Sequence, residues 1–161
     1  MNTVQRVPTT QQGMLKMRAE LDRMKKEDRP RIVDAIASAR ALGDLKENAE
    51  YHSAKEQQGL LEAKISKLED QISRAQVIDV SKMENDGKVI FGTTVHLENQ
   101  EDSKQLNFTI VGEFEADVSA GKLSVGSPMA RAVIGKYEGD IITVNTPSGP
   151  VEYEILSVLY G

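Results

Sequence analysis

The chain contains no cysteine, which excludes disulfides and any metal site built on thiolates. It has two histidines, His52 and His96, in different halves. A zinc centre would therefore need carboxylates to complete it. Tryptophan is absent, and three Phe and four Tyr are all the aromatics there are, too few to line a large aromatic pocket. No apolar run approaches the ~20 residues of a membrane span. The opening Met1-Asn2-Thr3-Val4-Gln5-Arg6 lacks the apolar core of a signal peptide. The cytoplasm is thus the expected location, with no membrane partner. There is no internal repeat and no low-complexity tract.

What the chain does have is charge. Charged residues make up 28% of it against 39% hydrophobic, a balance that fits much exposed helix surface and a modest core. Its 161 residues suffice for one ordinary domain or two small ones. The net charge of −5 is unevenly spread: residues 1–79 carry 14 Lys/Arg and 13 Asp/Glu, whereas residues 80–161 carry 6 and 12. An acidic half is repelled by a phosphate backbone. Any nucleic acid should therefore be held by another molecule and touched by the N-terminal half.

The two halves differ in period. Met14, Met17, Leu21 and Met24 are spaced as one face of a helix, with Thr9 or Thr10 able to cap its start. Pro30 interrupts, and a helical pattern resumes through Ile32, Val33, Ile36 and Ala39. Pro30 either kinks one helix or separates two. Gly43 is a natural stop. Ala54, Gln58, Leu61, Ile65, Leu68, Ile72 and Ala75 then alternate steps of four and three, the seam of a two-stranded coiled coil. A short turn between such helices makes them antiparallel. From about Val80 the period becomes two: Val95 and Leu97, then Leu106, Phe108 and Ile110, then Val151, Tyr153 and Ile155 alternate with polar residues. Asn85-Asp86-Gly87 and Pro147-Ser148-Gly149 read as turns. Ser127 with Pro128 opens one short helix that Gly135 ends. The predicted fold class is α+β. An antiparallel coiled-coil hairpin with an acidic tip spans residues 1–76, and a small β-rich domain with one short helix spans residues 77–161. A seam satisfied within the hairpin predicts a monomer.

The residues with chemical potential gather at the predicted hairpin turn, Gly43-Asp44-Leu45-Lys46-Glu47-Asn48-Ala49-Glu50-Tyr51. Asp44 and Glu47 have the spacing of a capping box at the start of the second helix, and spacing alone favours that reading. If both stay solvent-facing, they are instead two hard oxygen ligands, a partial shell for magnesium that a second molecule must complete. Arg40 and Lys55 flank the turn, either as ordinary solvated charges or as a small basic patch guiding a phosphate backbone. Asn48 and Tyr51 lie close by. An exposed Tyr51 could stack on a base or pack across the hairpin. His52 is expected at the surface with no visible partner, and His96 lies on the polar face of a strand.

The run from Gly43 to His52, continuing through Ala54, Glu56, Gln57, Gln58 and Gly59, resembles the signature of the bacterial Gre family of transcript cleavage factors, closest to its A-type. So do Ala75-Gln76-Val77-Ile78-Asp79-Val80 and Ser127-Pro128-Met129-Ala130-Arg131 with Ile134-Gly135-Lys136. Three separated matches in order cover nearly the whole chain, and they tip Asp44 and Glu47 toward the functional reading. The resemblance implies a C-terminal domain of FK506-binding-protein-like (FKBP-like) fold docked at the secondary channel of bacterial RNA polymerase. The coiled coil would enter that channel and stimulate the polymerase's own cleavage of backtracked RNA. It further implies that Asp44 and Glu47 are catalytic and share Mg2+ with the polymerase active centre, with no metal held tightly by the protein alone. Arg40, Lys55, Asn48 and Tyr51 would meet the nascent RNA 3′ end, and Ser127, Pro128, Met129, Ala130 and Arg131 would contact polymerase. Which acid holds metal and which orients water stays open. The small basic patch implies short products, mainly di- and trinucleotides. Competing readings are a channel-binding regulator that does not cleave, a coiled-coil adaptor, and a prolyl isomerase, the last disfavoured by the scarcity of aromatics.

Overall fold

The computed structural model describes residues 5–161. The segment through Val4, read above as part of a start without a signal peptide, lies outside them. The chain forms two compact units. One is Met14–Arg74; the other joins the segment ending at Gly13 to Ala75–Gly161. The sequence-based division at 76/77 falls inside a strand of the second unit.

The first unit is the helical hairpin. Helix α1 (Gln11–Arg23) runs into a π-helical turn at Met24–Asp28 and on into α2 (Arg29–Arg40). The Arg29 amide donates to the Met24 carbonyl, which makes the i→i+5 bond of a π-turn. Pro30 therefore neither breaks the limb nor splits it. A proline in an α-helix removes one hydrogen bond and clashes with the preceding turn, and the wider turn just ahead of it accommodates that misfit. Helix α3 (Ala49–Arg74) forms the second limb, about 39 Å long at 1.5 Å per residue. Its buried seam is Ala54, Leu61, Ile65 and Leu68, with Gln58 and Ile72 half-buried. Met17, Met24, Ile36 and Ala39 are buried on the other limb. Two positions depart from the predicted seam. Val33 is 49% exposed, because the neighbouring Ile32 and Ile36 hold the inward stripe. Ala75 has left the helix and lies in a strand.

Ion pairs tie the limbs outside the seam. Arg29 forks onto Glu62 through two bonds of 2.8 Å, and Lys25 lies 3.6 Å from Glu69. The paired positions run in opposite senses, as antiparallel limbs require. The Arg29 fork holds the Glu62 carboxyl below its ordinary range.

The second unit is built on a five-stranded sheet ordered β5-β4-β3-β7-β6. These are β3 (Thr93–Asn99), β4 (Gln105–Val111), β5 (Lys122–Ser124), β6 (Ile141–Thr146) and β7 (Gly149–Tyr160). All neighbours are antiparallel except β4 and β5. Val95, Leu97, Phe108, Ile110, Ile142, Val144, Ile155 and Val158 point to one face and bury there with Ala130 and Val133 of helix α4 (Pro128–Val133). Of the period-two residues named from sequence, Val95, Leu97, Phe108, Ile110 and Ile155 lie in this core, Leu106 and Tyr153 pack against it, and Val151 is half-buried outside it. A register shift opposite His96 and Leu97 leaves Leu156 unpaired, so the inward residues of β7 pass from Ile155 to Val158. One extra residue in a strand flips the alternation beyond it.

A separate parallel pair, β1 (Val7–Thr9) with β2 (Ala75–Val77), completes this unit. Neither strand has a periodic signal of its own. Glu115 anchors the β1 side: its carboxylate accepts from the amides of Thr10 (3.0 Å) and Gly112 (2.9 Å) and bonds the Thr10 hydroxyl. Gly112 has to be glycine, since a Cβ there would lie 2.1 Å from the Pro8 carbonyl oxygen. No helix among the described residues is long and apolar enough to cross a membrane.

Two outcomes follow from the hairpin. Ile65, 2% exposed at the seam, should cost about 2–5 kcal/mol when cut to alanine, read by denaturant titration. Because the Glu62 carboxyl is depressed, its pairing should contribute above the ordinary carboxylate range and disappear as pH falls through the lowered one. Glu62→Gln should lower the melting midpoint slightly at neutral pH and low salt. That difference should vanish in acid or in high salt.

Candidate functional site

The tip begins where α2 ends. The Gly43 amide donates to the Arg40 carbonyl at 3.3 Å, and Gly43 has a φ of 121°, a conformation that side chains disfavour. Residues 41–48 carry no regular secondary structure. Helix α3 starts only at Ala49, and Asn48 caps it: its Oδ1 accepts from the Tyr51 amide at 3.0 Å. The other end of that amide, Nδ2, donates to the Ala39 carbonyl at 2.6 Å. One side chain thus starts α3 and ties it back to α2.

This arrangement corrects the capping-box reading of Asp44 and Glu47. Neither caps α3. The signal for the true cap was local, since asparagine is itself a favoured cap and stands directly before the helix-forming Ala49-Glu50. Asp44 instead accepts from the Lys46 amide at 2.9 Å through Oδ1, a turn of its own making that leaves Oδ2 free. Glu47 makes no hydrogen bond or ion pair among the described residues. Both acids are exposed. Asp44 Oδ2 and the Glu47 carboxylate are hard, unspent oxygen donors that suit magnesium. They are too few for a closed shell, and no group of three or more His, Cys, Asp or Glu that could hold a metal occurs among the described residues.

Around the acids, the Arg40 guanidinium sits 5.8 Å from the centre of the Tyr51 ring, within cation–π range. The packing alternative for Tyr51 is therefore realised, by a contact across the hairpin. The ring remains half-buried, not covered. Lys55 is exposed on the next turn, its ammonium 3.2 Å from Gln58 Oε1. Of the four residues tied by resemblance to RNA, Arg40, Tyr51 and Lys55 keep solvent-facing surface, whereas Asn48 spends both ends of its amide within the turn. His52 has a partner that sequence did not reveal, the Lys46 carbonyl 3.1 Å from Nε2.

The second candidate surface lies in the other unit. Ser127 caps α4, its hydroxyl accepting from the Ala130 amide at 3.3 Å. Ala130 is fully buried and Met129 packs against the core. The segment Ser127–Arg131 therefore presents Pro128 and Arg131 outward, and Ala130 serves the fold. His96 holds the polar face of the sheet together, bonded to Ser157 at 3.1 Å and Asn107 at 2.8 Å.

Fold and tip together define the class, an α+β protein that carries two exposed carboxylates at the turn of a helical hairpin. Residues 7–77 match the family model "Transcription elongation factor, N-terminal", and residues 84–160 match "Transcription elongation factor, GreA/GreB, C-term". The transcription elongation factor GreA of Thioalkalivibrio sulfidiphilus is 53% identical over 96% of this chain and 98% of its own. That of Legionella pneumophila (strain Paris) is 56% identical over 95% and 96%. The solved Gfh1 protein (GreA factor homolog 1) of Thermus thermophilus aligns over 96% of this chain and 99% of its own at 28% identity, with a TM-score of 0.43. The chain belongs to the GreA/GreB family of transcription elongation factors.

Asn48 gives the site its test of local structure. Asn48→Ala should cost about 1 kcal/mol or more for the lost cap. Asn48→Asp should fall between that variant and the wild type, because it keeps the acceptor for Tyr51 and loses the donor to Ala39. Thermal melts followed by circular dichroism at 222 nm read the order.

Proposed function

We propose that this elongation factor stimulates the endonuclease of bacterial RNA polymerase on backtracked RNA, delivering Asp44 and Glu47 through the secondary channel to the active centre. The observation that carries the reading is that both acids stand exposed at the hairpin tip while Asn48 does the capping. Had the helix start consumed them, neither of the two would be left to work in trans.

Asp44, with Oδ2 free, would help hold a magnesium ion shared with the polymerase; Glu47 would stand beside it. Bound there, such an ion would supply Lewis-acid stabilisation of charge on the cleaved phosphodiester. Glu47, whose carboxylate has no competing partner, would orient the attacking water and accept its proton. The roles of the two acids can be exchanged without altering the rest. Arg40 and Lys55 would meet the phosphates of the extruded RNA 3′ segment. Tyr51, held under Arg40, would present its open edge to a base, while Asn48 shapes the turn. In the other unit the exposed Pro128 and Arg131 would contact polymerase, with Ser127, Met129 and Ala130 holding that surface in place. The protein would act as a monomer in the cytoplasm and carry no turnover of its own.

The decisive experiment uses a stalled, backtracked elongation complex with labelled RNA and Mg2+. Wild-type protein should release mainly di- and trinucleotides. Asp44→Asn and Glu47→Gln should each slow release on the order of 100-fold or more while binding polymerase as the wild type does. Binding without cleavage by the wild type would make the protein a channel-occupying regulator instead.

A further inference from the structure

We infer that His52 is a positioning residue for the tip acids, bracing the loop that carries them through the backbone carbonyl of Lys46. The inference rests on the proposed role of Asp44 and Glu47.

Residues 44–47 belong to no helix or strand, so no ladder of backbone bonds fixes where the two carboxylates point. Lys46 is the exception within the loop, because both of its backbone groups are held. Its N–H donates to Asp44 Oδ1 at 2.9 Å. Its carbonyl lies 3.1 Å from His52 Nε2. A carbonyl only accepts, so Nε2 carries the proton in this contact. A nitrogen committed in that way has no lone pair with which to take a proton from water, which argues against His52 as the general base through Nε2.

The geometry couples one imidazole to both acids. The Lys46 carbonyl belongs to the same rigid peptide plane as the Glu47 N–H, so fixing that oxygen fixes the plane from which Glu47 departs. On its other side, the Lys46 N–H is the group that Asp44 grips. His52 is itself well anchored. Its amide donates to the Asn48 carbonyl at 3.1 Å in the first turn of α3. Its ring meets Tyr51 edge-on at 5.6 Å between centroids and 64° between planes, and Tyr51 in turn lies under Arg40. The brace therefore runs from the helix pair, through Tyr51 and His52, to the one loop residue that touches the setting of both carboxylates. His52 and the loop are exposed, so the contact adds little to global stability. Its effect is on orientation, where small misplacements slow catalysis steeply.

The test compares full-length wild type, His52→Ala and His52→Gln, the last able to present an amide N–H to the same carbonyl. In the free protein, hydrogen exchange at the Lys46 amide, the bonded N–H of the loop, should speed up in His52→Ala and return toward wild type in His52→Gln, with helicity by circular dichroism equal in all three. In backtracked complexes at saturating factor, His52→Ala should slow RNA cleavage on the order of tenfold and raise the Mg2+ concentration for half-maximal rate. Affinity for polymerase should not change, and His52→Gln should restore both readouts. Unchanged exchange in His52→Ala, or faster exchange with cleavage unaltered, would overturn the inference; so would a cleavage defect that glutamine fails to relieve. If the wild type itself does not stimulate cleavage, the reading of the tip fails, and the exchange arm alone decides whether the brace exists.

Discussion

The hydrogen bond from the Asn48 side-chain amide to the Ala39 carbonyl, with the Tyr51 amide bonded to its other end, sets what the hairpin tip can offer. A helix start leaves several amides in want of acceptors. The spacing of Asp44 and Glu47 would have let them serve that start as a capping box. Because Asn48 takes that position, α3 begins after the acids and not among them. The neutral amide also does what a carboxylate cannot, since it donates across the hairpin while it accepts along the helix. The availability of both acids, the reach of His52 to Lys46 and the seating of Tyr51 under Arg40 all depend on where α3 starts.

The rest of the hairpin keeps that tip rigid at a distance from its base. The buried seam through Leu61, Ile65 and Leu68 supplies the energy, about 1.5–3 kcal/mol for each large side chain removed from water. The π-turn at Met24–Asp28 absorbs Pro30 without ending the limb, and the Arg29–Glu62 fork closes the limbs just beside it. The irregular turn is thus flanked by a bidentate cross-limb pair. A long limb that continues through its proline suits the proposed delivery of carboxylates to a remote centre.

The second unit solves a different problem. Its 12-residue β7 stays paired with β3 past a bulge at Leu156, and β1 is held by its pairing with β2 and by the Glu115 clamp on Thr10 and Gly112. Only part of the segment tied by resemblance to polymerase is free to touch anything. Ala130 is buried, and the exposed Pro128 and Arg131 ride on a helix start fixed by Ser127. Within one sequence motif, holding the surface and being the surface fall to different residues.

Periodicity made much of this fold legible in the sequence. Steps of three and four fixed the α3 seam, and alternation fixed the inward residues of β3, β4 and the first part of β7, because burial of one face is a local property of a regular element. The stop near Gly43 and the Ser127 cap were also local, since each depends on the conformational habits of one or two residues. What sequence left open were matters of contact between distant or competing groups. Spacing favoured a cap built from Asp44 and Glu47 where Asn48 in fact supplies it, and it did not tell whether Pro30 would break the limb. It could not pair Val7–Thr9 with Ala75–Val77, whose association is paid for only when the chain ends of the hairpin come together. The sequence by itself determined the two kinds of unit and the family signature at the tip. The tertiary structure decided that Asp44 and Glu47 are free, that Tyr51 lies under Arg40 and that His52 reaches Lys46, because each of these is a competition for a hydrogen-bonding or packing partner that only the closed turn settles.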